Sequence, residues 1–282
     1  ITVTRLAADH FYVLSAAVAQ LHDLDQLSWR KRADEQVTIT DVTDDFGVLV
    51  LAGPLARDVL AQCTGTDLSN AAFRWLTGKT ATVAGVDGVR LLRVNYVGEL
   101  GWELHVPMAG MPRVFDALMA AGRPHGIRQF GTYAMNSLRM EKAYRHWSHD
   151  ITPEDTPLEA GLGFCVAWDK KGGFIGREAL LKQREQGITR RLAQFLIADP
   201  DAMLYHDEPI YRDGKRISRL TSAMYGYKLG GAVGLGYVGA DHPISVDEVL
   251  NAKYEIEVAG QKIPARVSLK PMYDPTSTRI KA

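Results

Sequence analysis

An excess of charge of one sign is absent from this sequence of 282 residues, because its 33 basic side chains are matched by 33 acidic ones. A net charge near zero creates no strong field to recruit a nucleic acid or an anionic membrane surface. No apolar run reaches the roughly 20 residues that cross a bilayer, and no signal peptide is visible. We therefore expect neither a nucleic-acid partner nor a membrane partner.

Cysteine is also scarce, with only 2 in the chain. Cys63 and Cys165 each lie among apolar residues, so we expect buried free thiols of the kind that a reducing compartment preserves. Neither belongs to a zinc-binding spacing. His146 and His149 are close enough in sequence to suggest a metal, but no second cluster of ligands completes a site, and we expect no bound metal.

Two motifs of common enzyme classes are missing. There is no Gly-x-Ser-x-Gly sequence, and neither cysteine has the polar neighbours that activate a nucleophilic thiol, which argues against nucleophilic catalysis. The glycines of residues 98–101 do not form a dinucleotide fingerprint, and those of residues 230–236 lie in a region without a helix to receive a pyrophosphate. We therefore expect no dinucleotide site within this chain.

The composition of the sequence and its pattern of apolar and polar residues predict the fold. Apolar residues make up 46% of the chain, enough for a sizeable core, and the length suggests about two domains. The first part mixes strand-like and helix-like patterns, whereas the sequence beyond Gly187 consists almost entirely of short strands and turns. We predict an α+β fold, with a mixed antiparallel sheet and helices in residues 1–189 and a small all-β barrel, jelly-roll-like, in residues 190–282.

Periodicity and turn residues predict the individual elements. Helices are predicted at residues 17–32, 54–63, 111–121, 133–144 and 177–184, and a turn at residues 86–88. Strands are predicted at residues 1–6, 11–14, 37–42, 48–52, 80–83, 89–96, 102–106, 162–168, 192–197, 209–211, 217–225, 232–238, 254–258 and 262–269.

The segment of residues 94–106 reads as a β-hairpin, because two glycines bracket a tight reversal and an alternation of apolar and polar residues follows. Two carboxylates lie near this turn. We interpret Glu99, at the loop tip, as a solvated charge. Glu103 stands between two large apolar residues inside a strand, so its side chain either lies on a wet face or points into a cavity that supplies a donor.

Three aromatic residues, Tyr96, Trp102 and Phe164, are candidates either for the core or for a ligand platform, and their pattern leaves both readings open. A flat heterocycle with an amidine-like donor edge would require a carboxylate for that edge and an aromatic face beside it. Glu103 together with Tyr96 or Phe164 would supply both.

Four motifs occur in order along the chain: Tyr96-Val-Gly-Glu-Leu-Gly-Trp-Glu103, Gly131-Thr-Tyr-Ala-Met-Asn-Ser-Leu-Arg-Met-Glu-Lys142, Asp155-Thr-Pro-Leu-Glu-Ala-Gly-Leu-Gly163 and Phe174-Ile-Gly-Arg-Glu-Ala-Leu180. Together they resemble the glycine-cleavage T-protein superfamily, and in particular the folate-binding C-terminal region of dimethylglycine and sarcosine dehydrogenases and oxidases. The resemblance covers essentially the whole chain.

This resemblance implies a tetrahydrofolate site in this chain and FAD in an upstream flavin domain or subunit, which oxidises an N-methylated amine to an iminium. The folate amine then captures the one-carbon unit to give 5,10-methylenetetrahydrofolate. A cytoplasmic location, or the mitochondrial matrix in a eukaryote, suits this chemistry. The implied folate-binding residues are Glu103 on the amino-pyrimidine edge of the pterin, Leu104 and His105 beside it, Tyr96 and Phe164 lining the pocket, and Ile1 and Thr2 contributing backbone contacts.

Two departures from the family pattern limit this assignment. The carboxylate with which the superfamily positions or activates the folate nitrogen would precede Ile1, so no catalytic residue is assigned. Met135 stands where the T-protein has an arginine that contacts the folate, which leaves recognition of the folate tail unassigned. Two other functions stay open, a free-standing folate-dependent aminomethyltransferase or demethylase and a folate-binding module without turnover.

Overall fold

A computed structural model describes all 282 residues, Ile1 to Ala282. The chain divides into two compact units, residues 1–129 with 277–282 and residues 130–276. We call the first the sheet unit and the second the barrel unit. None of the helices combines the length and the apolar character that a bilayer crossing requires.

The sheet unit consists of a four-stranded sheet, a separate two-stranded ribbon and three α-helices. The ribbon is β1 (Thr2–Ala7) with β2 (His10–Leu14), and the helices are α1 (Gln20–Arg30), α2 (Ala56–Ala61) and α3 (Met111–Gly122). The sheet contains β3 (Phe46–Ala52), β4 (Gly78–Val83), β5 (Val86–Leu92) and β6 (Gly101–Pro107). Its strands are antiparallel in the order β3-β6-β5-β4.

Strand β6 separates the core of the sheet unit from an open face. Trp102, Leu104 and Val106 are fully buried in a core that includes side chains from α2 and α3. Because alternate side chains of a strand point to opposite faces, Glu103 and His105 project from the other face. The alternation read from the sequence therefore sets which residues of β6 are available to a ligand.

The predicted antiparallel pairing of the strand before the turn with the strand after it is confirmed for β5 and β6. The residues that connect these strands differ from the prediction. β5 ends at Leu92, so residues 93–100 form a loop, and Tyr96 lies in that loop instead of in a strand. The preceding reversal lies at Ala84 and Gly85, not at residues 86–88. Both residues have positive φ, 50° and 73°, which is the combination found in the tight turns that match strand twist.

The strand predicted at residues 37–42 is wrong, because that segment has no regular structure. Its β-branched residues favour a strand only where a neighbouring strand can pack against them. Here Asp41 accepts hydrogen bonds from the Thr43 backbone N–H at 2.9 Å and from Gln20 Nε2 at 3.0 Å. Such side-chain bonds stabilise a local turn in place of a ladder.

The barrel unit is built from six strands, β7 (Arg190–Ile197), β8 (Pro209–Arg212), β9 (Lys215–Gly226), β10 (Gly231–Gly239), β11 (Tyr254–Val258) and β12 (Gln261–Ser268). They close in the order β10-β7-β12-β11-β8-β9, which confirms the predicted barrel. The α-helices are α4 (Thr132–Glu141), α5 (Arg177–Gln186) and α6 (Val246–Asn251). The prediction lacks α6, which begins with a capping box formed by Ser245 and Glu248.

The strand predicted at residues 162–168 is also wrong. Only a single 3-10 turn, Gly163–Cys165, forms there, and the backbone N–H of Cys165 donates to the carbonyl of Leu162. Phe164 is 83% exposed. Cys165 is exposed as well, which corrects the burial expected for it, whereas Cys63 is half-buried; both thiols are free.

The residues before the barrel strands belong to the same compact unit as the barrel. Helix α4 packs against β9 and β10, and Gln194 on β7 donates to the carbonyl of Met140 at 2.6 Å. The barrel unit therefore begins at Phe130, while its first strand begins at Arg190. The division of the chain into residues 1–189 and 190–282 remains a prediction.

Candidate functional site

The open face of the four-stranded sheet carries a group of polar and aromatic side chains that we call the Glu103 cluster. Its members are Glu103 and His105 from β6, Arg90 from β5, Phe46 from β3 and Tyr12 from β2. Strand register places Arg90 directly opposite His105. The Tyr12 ring packs edge-on against the His105 ring, with 5.4 Å between their centroids, so the β1–β2 ribbon contributes to this face.

Polar contacts connect three members of the cluster. The Tyr12 hydroxyl lies 3.1 Å from His105 Nδ1, and His105 Nε2 lies 3.4 Å from Glu103 Oε2. The His105 side chain is only 2% exposed, whereas that of Glu103 is 23% exposed. Of these three side chains, the carboxylate is the one that a ligand from solution can reach.

Arg90 places a positive charge inside the cluster. Its guanidinium carbon lies 4.2 Å from the ring centroid of Tyr12 and 4.1 Å from that of Phe46, so the cation contacts two aromatic rings. Burial raises the pKa of the Tyr12 hydroxyl, and the charge of Arg90 opposes this shift. Arg90 Nη1 and His105 Nε2 are both buried without a hydrogen-bond partner. Unpaired buried nitrogens are uncommon in folded proteins, and two in one cluster single it out.

The surroundings of Glu103 define the kind of ligand that it suits. Val50 lies opposite Glu103 in the strand register, and Val48 and Val50 are 48% and 40% exposed. A carboxylate beside exposed apolar side chains suits a flat ligand that offers N–H donors along one edge, because two carboxylate oxygens accept two donors.

The other predicted site residues are placed as follows. The Leu104 side chain is fully buried in the core, so Leu104 offers a ligand only its backbone. Ile1 is 83% exposed, and Thr2 begins β1. Tyr96 is half-buried in the 93–100 loop. Phe164 belongs to the barrel unit. Within the sheet unit, the structure brings His105 into contact with Glu103.

The expectation that Glu99 is a solvated turn charge is wrong. Its side chain is 15% exposed, and Oε2 lies 3.4 Å from Arg279 Nη1. Asn95, which sequence reasoning missed, organises this loop. Its side-chain amide donates to the carbonyl of Glu99 at 2.8 Å, and its Oδ1 accepts from the backbone N–H groups of Val97 and Gly98. Asparagine side chains commonly hydrogen-bond to the backbone about two residues further on and so form turns, which is the signal that could have identified Asn95.

Tyr12, Arg90 and Phe46 were also absent from the predicted site. No local pattern in the sequence marks them. Phe46 and Arg90 reach the cluster because β3 and β5 pair with β6, whereas Tyr12 reaches it because its separate ribbon packs against His105. The predicted strand at residues 11–14 indicates that Tyr12 lies in a ribbon, but it does not identify what the ribbon covers.

His146 and His149 lie in the barrel unit, with their rings edge to face and 4.6 Å between centroids. Burial is the main cause that lowers the pKa of His146. The chain has no group of three or more His, Cys, Asp or Glu side chains arranged to hold a metal. The geometry thus offers this pair no further ligands.

A four-stranded antiparallel sheet with an accessible carboxylate on its open face, in a chain that also closes a six-stranded barrel, defines an α+β protein with a candidate small-molecule site. Comparison with protein families identifies the particular class. Residues 1–170 match the GCVT N-terminal domain, and residues 190–274 match the glycine cleavage T-protein C-terminal barrel domain. The chain belongs to the glycine cleavage T-protein family, which confirms the resemblance read from the sequence.

Individual relatives are consistent with this membership. Sarcosine dehydrogenase, mitochondrial, of Mus musculus is 38% identical over 283 residues, which cover 99% of this chain and 30% of the relative. Dimethylglycine dehydrogenase, mitochondrial, of Mus musculus is 36% identical over 275 residues, which cover 96% and 31%. The chain therefore spans less than a third of the length of these curated relatives. The solved structure of the glycine cleavage system aminomethyltransferase T from Bartonella henselae is similar with a TM-score of 0.81 and 26% identity, covering 97% of this chain and 71% of that chain.

Proposed function

We propose that this chain is the tetrahydrofolate-dependent one-carbon acceptor region of an FAD-linked dimethylglycine or sarcosine dehydrogenase or oxidase. The flavin would be held by another part of the protein or by a partner subunit, where the N-methylated amine is oxidised to an iminium. Tetrahydrofolate bound to this chain would supply the amine that takes up the one-carbon unit, giving 5,10-methylenetetrahydrofolate and releasing the demethylated amine and a proton. Family membership and the similarity to two dehydrogenases support this proposal.

The observation that carries the proposal is the accessible carboxylate of Glu103 on the open face of β6. The amino-pyrimidine edge of a pterin presents neighbouring N–H donors, and a carboxylate accepts two such donors in charge-assisted hydrogen bonds. The 23% exposure of the Glu103 side chain leaves it open to such an edge, and the exposed Val48 and Val50 offer an apolar surface for the ring. The side chains of this face therefore fit a flat heterocycle with a donor edge.

In this proposal the chain acts by binding and orienting. Glu103 would hold the pterin edge, His105 would lie behind it, and Tyr96 would line the pocket. The folate-binding role of Phe164 remains a prediction from the family resemblance. Ile1, Thr2 and Leu104 would contribute through their backbone. Holding the nucleophile next to the electrophile accelerates the reaction strongly by itself, because a reaction between two molecules in solution becomes a reaction within one complex. We assign no general acid or base to this chain.

A free-standing folate-dependent aminomethyltransferase is the second candidate, favoured by the similarity to the Bartonella henselae aminomethyltransferase. The two functions differ in the source of the one-carbon unit. The first requires a flavin-bearing region or subunit before dimethylglycine or sarcosine yields 5,10-methylenetetrahydrofolate, whereas the second requires an aminomethyl donor and no flavin. For a eukaryotic source we propose the mitochondrial matrix, since both dehydrogenase relatives are named as mitochondrial.

The test of folate binding is calorimetric titration with 5-formyltetrahydrofolate, a stable reduced folate. We expect the wild-type chain to bind it and Glu103→Gln to weaken the affinity roughly 10- to 100-fold, because a hydrogen bond to a charged acceptor contributes about 1.5–3 kcal/mol. The substitution keeps the size of the side chain, so the loss reports the acceptor and not the packing.

Glu178→Gln is the matched control, since its side chain is 86% exposed on α5, far in sequence from the cluster. Glu99→Gln is a poorer control because Glu99 contacts Arg279. We expect the Glu178 variant to bind like the wild type. Equal affinities for the Glu103 and Glu178 variants would remove Glu103 from the site, and no binding by the wild type would reject the folate function of the isolated chain.

A further inference from the structure

The Glu103 cluster contains a buried histidine whose two ring nitrogens face different partners. His105 Nδ1 lies 3.1 Å from the Tyr12 hydroxyl, and Nε2 lies 3.4 Å from Glu103 Oε2. At 3.4 Å the contact to Glu103 is longer than a well-formed hydrogen bond, and Nε2 is buried without a hydrogen-bond partner in the structure. A buried polar ring is costly unless its nitrogens are used. This arrangement therefore requires an explanation beyond packing.

The placement of the protons follows from the neighbours of His105. If Tyr12 donates its hydroxyl proton to Nδ1, the neutral ring carries its proton on Nε2 and directs an N–H toward the Glu103 carboxylate. The opposite tautomer would direct a lone pair at the carboxylate oxygens. Arg90, which lies over the Tyr12 ring, also makes the hydroxyl a better donor.

We propose that Tyr12 and His105 are positioning residues, which together fix the orientation of the Glu103 carboxylate for a ligand with a donor edge; this inference rests on the proposed function. Tyr12 selects the tautomer of His105, and His105 holds Oε2 of Glu103. The remaining acceptor positions of the carboxylate then face outward. Preorganised acceptors lose less conformational freedom when the ligand binds, so the pair raises affinity without touching the ligand.

Two substitutions of His105 separate positioning from packing. Glutamine carries an amide N–H₂ near the position of Nε2, whereas asparagine is one methylene shorter and reaches only the position of Nδ1. Both are neutral amides that remove the ring. If His105 acts through Nε2, His105→Gln retains the contact to Glu103 and His105→Asn loses it. A role in packing alone predicts no advantage for glutamine in binding once folding is matched.

The experiment is calorimetric titration of the variants with 5-formyltetrahydrofolate, with thermal unfolding measured on the same samples. We expect His105→Asn and Tyr12→Phe to weaken binding about 5- to 10-fold and His105→Gln to stay within about 3-fold of the wild type, since one hydrogen bond changes affinity by about this factor. Equal losses for the asparagine and glutamine variants would overturn the proposal. If Glu103→Gln weakens binding while the two His105 variants behave alike, only the positioning role fails. If the wild-type chain does not bind 5-formyltetrahydrofolate, the folate proposal fails as well.

A second measurement on the wild-type chain keeps the proposal testable if a variant does not fold. Nitrogen-15 NMR of labelled histidine distinguishes the two neutral tautomers and the cation. We expect the Nε2–H tautomer for His105, and a shift toward the other form in Tyr12→Phe. An Nδ1–H tautomer or a cation in the wild type would overturn the assignment of donor and acceptor.

Discussion

At the scale of single residues, Asp150 in the barrel unit is a buried carboxylate that accepts several hydrogen bonds. It is 1% exposed, and its Oδ2 accepts from Arg139 Nη1 and from the His146 backbone N–H, both at 2.8 Å. Its Oδ1 accepts from the hydroxyl of Thr221 on β9 at 2.5 Å. One carboxylate therefore connects α4, the loop after it and the barrel wall.

We predict that Asp150→Asn destabilises the protein by about 3–5 kcal/mol. The amide replaces one acceptor oxygen with a donor and leaves the buried Arg139 without its counter-charge, and breaking a buried pair from one side carries this cost. Urea unfolding of the variant and the wild type, with the m-value compared, measures the change.

Asp207→Asn is the control for this prediction. Asp207 pairs with Arg219 at 3.0 Å, but both side chains are more than half exposed. Surface pairs contribute less than about 1 kcal/mol, so we expect a change below that value. If the two variants were equally stable, the Asp150 carboxylate would not hold this region together.

The Glu103 cluster also shows which single residues of the site could be predicted from the sequence. Glu103 could be singled out because a carboxylate between Trp102 and Leu104 in an alternating strand must leave the core. Its neighbours Tyr12 and Arg90 could not. Tyr12 lies on a ribbon that is distant in sequence, and the predicted hairpin did not specify the register that places Arg90 opposite His105. The acceptor was predictable, and the groups behind it were not.

At the scale of elements, the close packing of β10 depends on glycine. A side chain at Gly236 would meet the Cδ1 of Ile210 and would lie 3.0 Å from the carbonyl oxygen of Arg219 on β9. Gly239, at the end of the same strand, has more room, with its nearest neighbour, the carbonyl oxygen of Thr189, at 3.8 Å. Strand β10 therefore offers a tight and an open glycine in one element.

We predict that Gly236→Ala lowers the free energy of unfolding by about 1–3 kcal/mol, because an added methyl group in a packed interior forces its neighbours apart. Gly239→Ala should change stability by less than about 1 kcal/mol, and in the stabilising direction if its backbone geometry is retained. Thermal and urea unfolding provide the comparison. Equal effects at the two positions would show that the barrel wall relaxes around Gly236.

The errors among the predicted elements share a cause. The segments at residues 37–42 and 162–168 have strand-like composition, yet neither has a partner strand. A strand is stabilised by hydrogen bonds and side-chain pairs across a ladder, so composition is not sufficient. The barrel strands were predicted well because tight turns join several of them to a neighbour in sequence, as between β8 and β9 and between β11 and β12.

At the scale of the whole molecule, the two possible boundaries predict different patterns of limited proteolysis. Residues 127–131 lack regular structure, and Arg128 is exposed. Since residues 130–189 belong to the barrel unit, we expect trypsin to cut first at Arg128 and to leave an intact fragment that begins at Gln129. Mass spectrometry of the earliest products identifies the site.

A first cut at Arg184, Arg190 or Arg191 would instead favour the boundary predicted near Arg190. Early cleavage within β5 or β6 would contradict both boundaries. Strand β7 starts at Arg190, but its residue Gln194 donates a hydrogen bond to Met140 of α4. The boundary near Arg190 therefore marks the start of the barrel strands, whereas the boundary near Phe130 marks the start of the compact unit.

The fold class, the barrel, the motifs of the family and the face from which Glu103 projects could all be read from the sequence, because periodicity, turn residues and motifs depend on neighbouring positions. The folded chain was needed to show that Tyr12, Arg90 and Phe46 join Glu103, that Glu99 contacts Arg279, and that residues 130–189 pack with the barrel. These facts depend on which strands and loops meet, and that choice is set by the burial and pairing of the whole chain.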